Sequence, residues 1–217
     1  VTIAGYQGAI ACNDAGTTTL ENCTINKEYL DTSSHVFYIN HADANVIVNS
    51  GTYTHKGMDG SLAYVIKGSI TVNGGTFSAS NGGYGMAPLT GGKVFINGGS
   101  FKTGLLGWGG LISIAGGDFT NAPNAAWIAD GYKTVVKDGV YYVIANDTEL
   151  VSSSAQFNDA LSAGQKVLLA SDVNIAKIDL TTGSNDMVID GNGNSITTAD
   201  SYGVEVTAGK NITLKNA

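Results

Sequence analysis

The sequence predicts an all-β protein: a parallel β-helix, or solenoid, with a short capping helix and a β-hairpin linker. Three observations support this prediction. The 217 residues include 30 Gly but only 2 Pro, a composition typical of many short strands joined by turns. A strand-and-corner motif recurs along the chain. A single segment, SSSAQFNDALSAG, has the pattern of an amphipathic helix.

One motif recurs four times without a gap, and it combines a short strand with a tight corner. Its copies start at residues 46, 70, 94 and 112, so their spacings are 24, 24 and 18 residues. Each copy has alternating apolar residues, then Asn-Gly-Gly or a relative, then an apolar or aromatic residue. The copies are VIVNSGTY, ITVNGGTF, VFINGGSF and ISIAGGDF, and the degenerate TTLENCTI at 18–25 precedes them.

Each part of the motif has a physical role. The alternating apolar residues would point to one side of the strand and enter a core. They are Val46/Val48, Ile70/Val72, Val94/Ile96 and Ile112/Ile114. The glycine pairs allow a positive φ at a corner, where a Cβ would clash. The residues after the corners can stack from copy to copy; they are Tyr53, Phe77, Phe101 and Phe119.

A second short strand precedes each copy, and the two strands together indicate the fold class. These preceding strands are GAIAC, HVFYI, LAYVI and, more weakly, YGMAPL and LLGWGG. Short strands without helices cannot bury an apolar face alone, whereas stacking successive turns in register buries it. A flat antiparallel sandwich is the alternative, and it explains the fixed period less well.

The repeat pattern ends after Phe119. Residues 123–148 contain KTVVKDGVYYVIA, which has apolar alternation on both sides of Lys137-Asp138-Gly139. Asp-Gly between two such runs is a strong hairpin signal. We therefore predict that this segment is a closing hairpin and linker.

A capping helix is predicted next, in SSSAQFNDALSAG. Ser153 with Gln156 fits a capping box, and Gly164 fits a C-terminal stop. Short strands with Gly or Asn corners follow, in KVLLASDV, AKIDL, DMVIDGNGNSITT and YGVEVTAGKNITL. A helix that leads into coils would cover the open end of a solenoid, which otherwise exposes apolar core and unpaired strand edges.

The NGGTF-type coils and the WIADGY…VVKDGVYYV segment resemble the repeat domains of pectate-lyase-like bacterial extracellular surface proteins. The resemblance implies a right-handed parallel β-helix, located extracellularly or at the cell surface of a bacterium or phage. It divides the chain into the C-terminal coils of one β-helix (1–122), a closing hairpin and linker (123–148), and a capping helix with the first coils of another β-helix (149–217).

This order of segments predicts how the chain would assemble. The end of one β-helix precedes the start of another, and ITLKNA followed by VTI resembles the internal TTLENCTI. We expect head-to-tail stacking through Val1, Ile3, Ile212 and Leu214, either between tandem modules of one polypeptide or between separate subunits. An ordinary fragment with frayed ends is the alternative.

Composition excludes two classes of partner. The net charge is −7, and all 11 basic residues are Lys, so the chain lacks the basic face and the Arg forks with which proteins grip nucleic acid. No run approaches the roughly 20 apolar residues that span a bilayer, so membrane insertion is not expected. The expected partner is the chain itself, and glycans are a second candidate.

Carboxylate pairs are the first candidates for catalysis, because enzymes of the pectate-lyase-like fold that the repeats resemble cleave polysaccharides. The chain has no Arg to act as a lyase base, and the Asp-Asp and Gly-His-Gly patterns of the hydrolases are absent. The best remaining pairs, Asp186 with Asp190 and Glu21 with Glu205, are not evidently convergent, as glycoside hydrolysis requires. We therefore expect no catalytic residues; a polysaccharide lyase or hydrolase is the alternative.

Neither a metal nor a cofactor is expected. His35 and His41 lack a third ligand at useful spacing, so we expect His35, His41 and His55 to be surface or strand-edge histidines. Cys12 and Cys23 form no metal-ligand pattern. They are predicted to be buried thiols or to form a disulfide between neighbouring strands. Reactive thiols are the third and least favoured alternative, because no basic group or helix start that would activate them can be placed beside either cysteine.

Aromatic residues near the hairpin offer the one candidate ligand contact. Trp108, Trp127 and Tyr132 could form a sugar-stacking platform, or they could simply cover the last coils. The sequence thus favours a non-enzymatic structural module of an extracellular filament, fibre or surface stalk. The alternative is a carbohydrate-binding or carbohydrate-cleaving β-helix, adhesin or tailspike-like.

Overall fold

A computed structural model describes residues 8–28, 34–57, 60–80, 82–180, 186–201, 203–206 and 209–216. The predicted fold class is confirmed, because most of the chain forms short strands stacked in parallel sheets, with one short α-helix. The chain divides into two compact units, Val1–Val143 and Ile144–Ala217. They are called the first and the second unit below, and each is described by itself.

Fifteen strands lie wholly in the first unit among its described residues, and a sixteenth, β16, begins in it and ends two residues beyond its boundary. In chain order they are β1 (Gly8–Cys12), β2 (Gly16–Leu20), β3 (Cys23–Lys27), β4 (His35–Ile39), β5 (Ala44–Val48), β6 (Gly51–His55), β7 (Ser61–Val65), β8 (Gly68–Val72), β9 (Thr76–Ala79), β10 (Tyr84–Pro88), β11 (Gly92–Ile96), β12 (Ser100–Lys102), β13 (Leu111–Ile114), β14 (Asp118–Phe119), β15 (Tyr132–Lys137) and β16 (Val140–Ala145). A 3₁₀ turn, Ala125–Trp127, precedes β15.

Successive turns of the chain add one strand to each of three sheets. The strand orders are β1-β4-β7-β10, β2-β5-β8-β11-β13 and β3-β6-β9-β12-β14, and the pairs within these runs are parallel. Asn45 lies beside Ser69, and Ser69 beside Lys93, so one 24-residue repeat forms one turn of the solenoid. The weakly predicted strand in LLGWGG forms only isolated bridges, through Trp108 and Gly109 to Leu89.

The corner between the second and third sheets explains the repeated glycines. Gly75 and Gly99 have φ of 105° and 99°, whereas the preceding glycine of each pair has no positive φ. A Cβ on Gly75 would lie 3.0 Å from the carbonyl oxygen of Gly51 in the previous turn. The second glycine therefore meets both a conformational and a steric requirement.

The core of the first unit is a set of in-register columns. All eight predicted inward apolar residues are buried, as are the four aromatic residues after the corners. Neighbouring rings of Tyr53, Phe77, Phe101 and Phe119 stack with centroids 5.1, 4.8 and 5.0 Å apart and with interplanar angles of 9–14°. The predicted aromatic column is confirmed.

A polar column runs along the outside of the same corners. Asn97 Nδ2 donates to Asn73 Oδ1, Asn73 Nδ2 donates to Asn49 Oδ1, and Asn49 Nδ2 donates to Glu21 Oε1, each at 2.9 Å. These residues hold the same place in successive repeats. Side-chain hydrogen bonds therefore follow the solenoid axis in parallel with the backbone ladder.

The predicted hairpin follows the last coil. Asp138 and Gly139 form the two-residue turn between β15 and β16, with φ of 52° and 79°. Strand β16 pairs antiparallel with β14, and Phe119 lies opposite Tyr141. The hairpin thereby pairs the outer edge of the third sheet.

The second unit repeats the solenoid with shorter strands. They are β17 (Thr148–Val151), β18 (Lys166–Leu169), β19 (Val173–Ile175), β20 (Ile178–Leu180), β21 (Met187–Asp190), β22 (Ile196–Thr198), β23 (Val204–Val206) and β24 (Ile212–Lys215), and α1 (Ser154–Ser162) follows β17. Their parallel sheets have the orders β17-β18-β21-β24, β19-β22 and β20-β23.

Helix α1 begins and ends as the sequence predicts. Ser153 Oγ accepts from Gln156 N at 3.3 Å, and Gln156 Oε1 accepts in return from Ser152 N at 2.9 Å. Gly164 has φ of 68°, as a left-handed C-terminal stop requires. The buried side chains of Phe157 and Ala160 join the core cluster of this unit, so the helix covers one end of it.

Among the residues that the structure describes, the helices are too short or too polar to cross a membrane.

Candidate functional site

Three strand edges are open at the end of the second unit opposite α1. Strands β22, β23 and β24 are each the last strand of their sheet among the described residues. Their outer N–H and C=O groups therefore face away from the sheet. Such an edge is a template on which a further strand can pair.

The apolar side chains at this end are incompletely covered. Leu214 lies beside Ile189, which is fully buried, yet Leu214 itself is 50% exposed. With Ile178, Ile196 and Val204 it lines an open concavity of about 330 Å³. Because side chains on neighbouring parallel strands point the same way at paired positions, Leu214 points along the core direction, and among the described residues no strand pairs with the outer edge of β24.

Strand β23 shows the same contrast between its two sides. Val204 and Val206 pair with Ile178 and Leu180, which are buried. Val204 and Val206 are 41% and 38% exposed. The open end is thus an apolar surface framed by strand edges, and we call β22, β23 and β24 the open end below.

The corner after β24 has an unusual backbone. Asn216 has φ of 47°, and its Nδ2 donates to Asp190 Oδ1 at 3.1 Å. Asn22, at the corner between β2 and β3, has nearly the same φ of 51°. Both residues stand two positions after an inward leucine, Leu214 and Leu20 respectively. The left-handed region favours Asn among non-glycine residues, so the sequence TLxN marks this corner in both places.

Two of the four predicted interface residues can be placed. Ile212 and Leu214 both belong to β24 and line the inner side of the open end. Val1 and Ile3 lie outside the described residues.

The first unit has open edges of its own. Strands β1, β2 and β3 are each the first strand of their sheet in the described part of the chain. In β2, Leu20 is buried, whereas Thr17, Thr19 and the following Glu21 are exposed. This edge therefore carries an inward leucine followed by an outward charged residue, Glu21. Strand β24 has the same order, with Leu214 followed by Lys215, which carries the opposite charge.

A buried polar cluster lies between the turns of the first unit, and the sequence did not predict it. His35 and His55 are 5% and 1% exposed, and Lys27 is fully buried. Ser34 Oγ lies 3.1 Å from His55 Nε2, and Ser61 Oγ lies 2.9 Å from His35 Nδ1. The expectation of surface or strand-edge histidines is therefore wrong for these two. Their hydrogen bonds to serines of neighbouring turns offset the cost of burying the imidazoles.

Burial controls the protonation of this cluster. It lowers the pKa of His35 from 6.5 to about 4, and the charges of His55 and Lys27 add to the effect. It also lowers the pKa of His55 and that of the Lys27 ammonium. The imidazole of His55 is packed so closely that a Cβ on Gly60 would lie 2.2 Å from its Cε1. The side chains of Ser34, Ser61, His35 and His55 are thus all buried.

The second histidine of the hypothetical metal pair lies apart from this cluster. His41 follows β4, and its Nδ1 accepts from Asp43 N at 3.1 Å. His35 begins β4 and His41 lies beyond its end, so the length of the strand, roughly 13 Å from His35 to Ile39 at about 3.3 Å per residue, lies between them. Within the described ranges, no group of three or more His, Cys, Asp or Glu side chains could hold a metal ion.

The four candidate carboxylates are engaged in separate structural contacts. Asp186 accepts from Asn211 N at 2.9 Å, and Asp190 accepts from Asn192 N at 3.0 Å, at opposite ends of β21. At about 3.3 Å per residue, this strand holds their backbones roughly 13 Å apart, and each carboxylate is hydrogen-bonded at its own end of the strand. Glu21 belongs to the first unit and Glu205, paired with Lys177, to the second.

Both cysteines are free and half-buried. Cys12 and Cys23 pack against the core of the first unit, and Cys23 Sγ donates to Glu21 O at 3.3 Å. Of the three predicted states, the free packed thiol fits best, although neither side chain is fully buried.

Trp108 is the exposed member of the predicted aromatic group. It is 43% exposed, and its ring stands edge-on to Tyr64 and Tyr84 with both centroids 5.9 Å away. Trp127 and Tyr132 instead pack, half-buried, against the core. The neighbouring Tyr64 and Tyr84 come from two other turns. The sequence feature that could have indicated this contact is the outward-facing position of Tyr64 in the strand LAYVI.

The comparisons with known proteins leave the geometry as the basis for function. No protein-family model, no curated protein and no solved structure matches this chain.

Proposed function

We propose that the chain is a non-enzymatic structural module of an extracellular filament, fibre or surface stalk, stacked head to tail. The observation that carries the proposal is the open end, where Leu214 lies on a core position but is 50% exposed. An apolar surface framed by unpaired parallel edges is stabilised when a further coil covers it.

The first unit supplies a coil of the required kind. Its edges β1, β2 and β3 have the three-sheet arrangement of the solenoid and are open among the described residues. Contact between the open end of one copy and these edges of the next is heterologous and does not close on itself. Such contacts produce filaments rather than closed oligomers.

The extracellular placement is supported by the repeats. The NGG-type coils resemble those of pectate-lyase-like bacterial surface proteins, and the continuous ladders of hydrogen bonds and stacked rings suit a stiff rod. The described residues also place the candidate carboxylates and histidines in separate or enclosed contacts, which favours a structural role over catalysis.

The test compares two substitutions of the same kind at exposed apolar residues. Leu214→Asp places a charge in the open end, whereas Val136→Asp places one on the hairpin, where the valine is 57% exposed. Association of the purified chain is followed by sedimentation velocity, and particles are viewed by negative-stain electron microscopy.

We expect wild-type and Val136→Asp chains to form rods of uniform width as concentration rises, and Leu214→Asp chains to stay monomeric with unchanged circular dichroism. Monomeric wild-type chains at all concentrations, or rods of Leu214→Asp chains, would contradict the proposal.

Glycan binding is the second candidate, favoured by the exposed ring of Trp108. A half-exposed indole beside two tyrosines offers apolar area with hydroxyl groups near it, which suits stacking against a sugar ring. The acidic net charge favours a neutral glycan. Glycan-array binding that Trp108→Ala abolishes would support this function, and release of reducing sugar would extend it to cleavage; an empty array would rule it out.

A further inference from the structure

We infer that β24 of one copy pairs in parallel with β2 of a second copy, in the register that places Leu214 beside Leu20. This inference rests on the proposed function and names the strands, the register and the charged contact of the junction. Three independent properties of the two strands support the same register.

The first property is the direction of the side chains. Ile212 and Leu214 pair with Met187 and Ile189, which are buried, so they point inward. In β2, Leu20 is buried and pairs with the buried Val48. Placing Leu214 beside Leu20 therefore joins the inward faces. A shift by one residue would turn the apolar face of one strand toward solvent.

The second property is charge. The register places Lys215 beside Glu21, on strands that would lie about 4.8 Å apart. Both residues are exposed. Glu21 already ends the polar column by accepting from Asn49 at 2.9 Å, so Lys215 would extend that column across the junction. In its own copy Lys215 lies beside Asp190, which leaves the lysine between two acids.

The third property is the shape of the following corner. The register brings together Asn216 and Asn22, whose φ values are 47° and 51°. Two neighbouring chains that turn with the same backbone hand stay in parallel beyond the paired strands. A shift by two residues would keep the inward faces together but would place Lys215 beside Thr19 and Asn216 beside Leu20. Charge and corner thus distinguish registers that hydrophobic burial alone does not.

Charge reversal tests the register. Lys215→Glu and Glu21→Lys each create a like-charge contact at the junction, and the double variant restores an opposite pair in reversed order. At low salt we expect each single variant to raise the critical concentration for assembly roughly 3- to 10-fold, in keeping with the modest strength of surface ion pairs. The double variant should return to near the wild-type value.

Lys93→Glu is the matched control, because Lys93 is exposed on β11 in the interior of the first unit. It changes net charge as Lys215→Glu does and should leave the critical concentration within twofold. Unchanged thermal melting of the monomers checks that the variants fold.

The outcomes separate the inference from the proposed function. Wild-type chains that do not assemble would overturn both. Assembly that Leu214→Asp abolishes, but that the single reversals do not weaken or the double variant does not restore, would overturn the register alone. Recovery in the double variant supports the β24–β2 pair.

Discussion

The two units have the same solenoid architecture but differ in strand length and in the contacts that hold their corners. The first unit has strands of up to six residues, a stacked aromatic column and an outer column of Asn side chains. The second has several three-residue strands, and its corners are held by single carboxylates, such as Asp172 accepting from Ser195 N at 2.7 Å. Regular repeats thus accompany a buried core in the first unit, whereas Val204, Val206 and Leu214 on the last described strands of the second unit are 38–50% exposed.

This difference indicates where each unit obtains its stability. In the first unit, the rings of Phe77 and Phe101 each lie between rings of two other turns, so their contacts are made within one chain. At the open end of the second unit, apolar side chains have neighbours on one side only among the described residues. We therefore expect core substitutions to act on folding in the first unit and on association at the open end.

The largest effect should come from the aromatic column. Phe77 is fully buried between Tyr53 and Phe101, so Phe77→Ala should lower the free energy of unfolding by about 3–5 kcal/mol. Leu214→Ala should cost under about 1 kcal/mol in the monomer, because half of the side chain is exposed. Urea unfolding, with hydrogen exchange to report each unit, measures both values; equal losses would contradict the comparison.

Acid should destabilise the first unit through its buried histidines. The pKa of His35 falls from 6.5 to about 4 in the folded state, so between these values the unfolded chain binds a proton that the folded chain does not. Stability is therefore complete above pH 6.5 and is lost as pH falls toward 4, by about 3 kcal/mol for His35. His55, whose pKa is also lowered, adds to the loss.

Tryptophan fluorescence isolates this effect, because Trp108 and Trp127 both belong to the first unit. Urea unfolding should be repeated between pH 7 and 5, above the range in which most carboxylates titrate. His35→Gln should flatten the slope of stability against pH, and an unchanged slope would show that His35 is not the titrating group.

A smaller effect is expected at the cap of α1. Ser153 accepts from Gln156 N, so Ser153→Ala should cost about 1 kcal/mol, confined to the second unit. Faster hydrogen exchange in Ser154–Ser162, with the tryptophan-monitored transition unchanged, is the expected result. A loss seen by the tryptophans would mean that the two units do not unfold separately.

Much of the fold could be predicted because the repeat reports two properties at once. The spacing of its copies predicts the number of residues in one turn, and its glycine predicts the position of the corner. Phe77 and Gly75 could therefore be placed before the structure was known. Ser153 and Gly164 delimit α1 by local hydrogen bonding, which a short sequence window contains.

The polar contacts between turns could not be predicted. Lys27 and His55 lie side by side on neighbouring turns although 28 residues separate them, and a polar residue in an alternating pattern does not reveal that it is buried. Trp108 meets Tyr64 and Tyr84 because three turns converge around an irregular segment. Such contacts depend on the lengths of the corners, which vary from turn to turn.

Cross-linking between copies tests the central claim most directly. In the inferred junction the exposed Thr213 lies beside Thr19, so chains carrying Thr213→Cys and chains carrying Thr19→Cys are mixed with a short bis-maleimide. Cys12 and Cys23 are first replaced by Ala, and Thr17→Cys, two residues away on the same face of β2, is the matched control.

Intact-mass analysis should show a covalent dimer of the Thr213→Cys and Thr19→Cys chains in preference to the Thr17→Cys control. No mixed dimer, or equal yields from Thr19→Cys and Thr17→Cys, would contradict the pairing of β24 with β2.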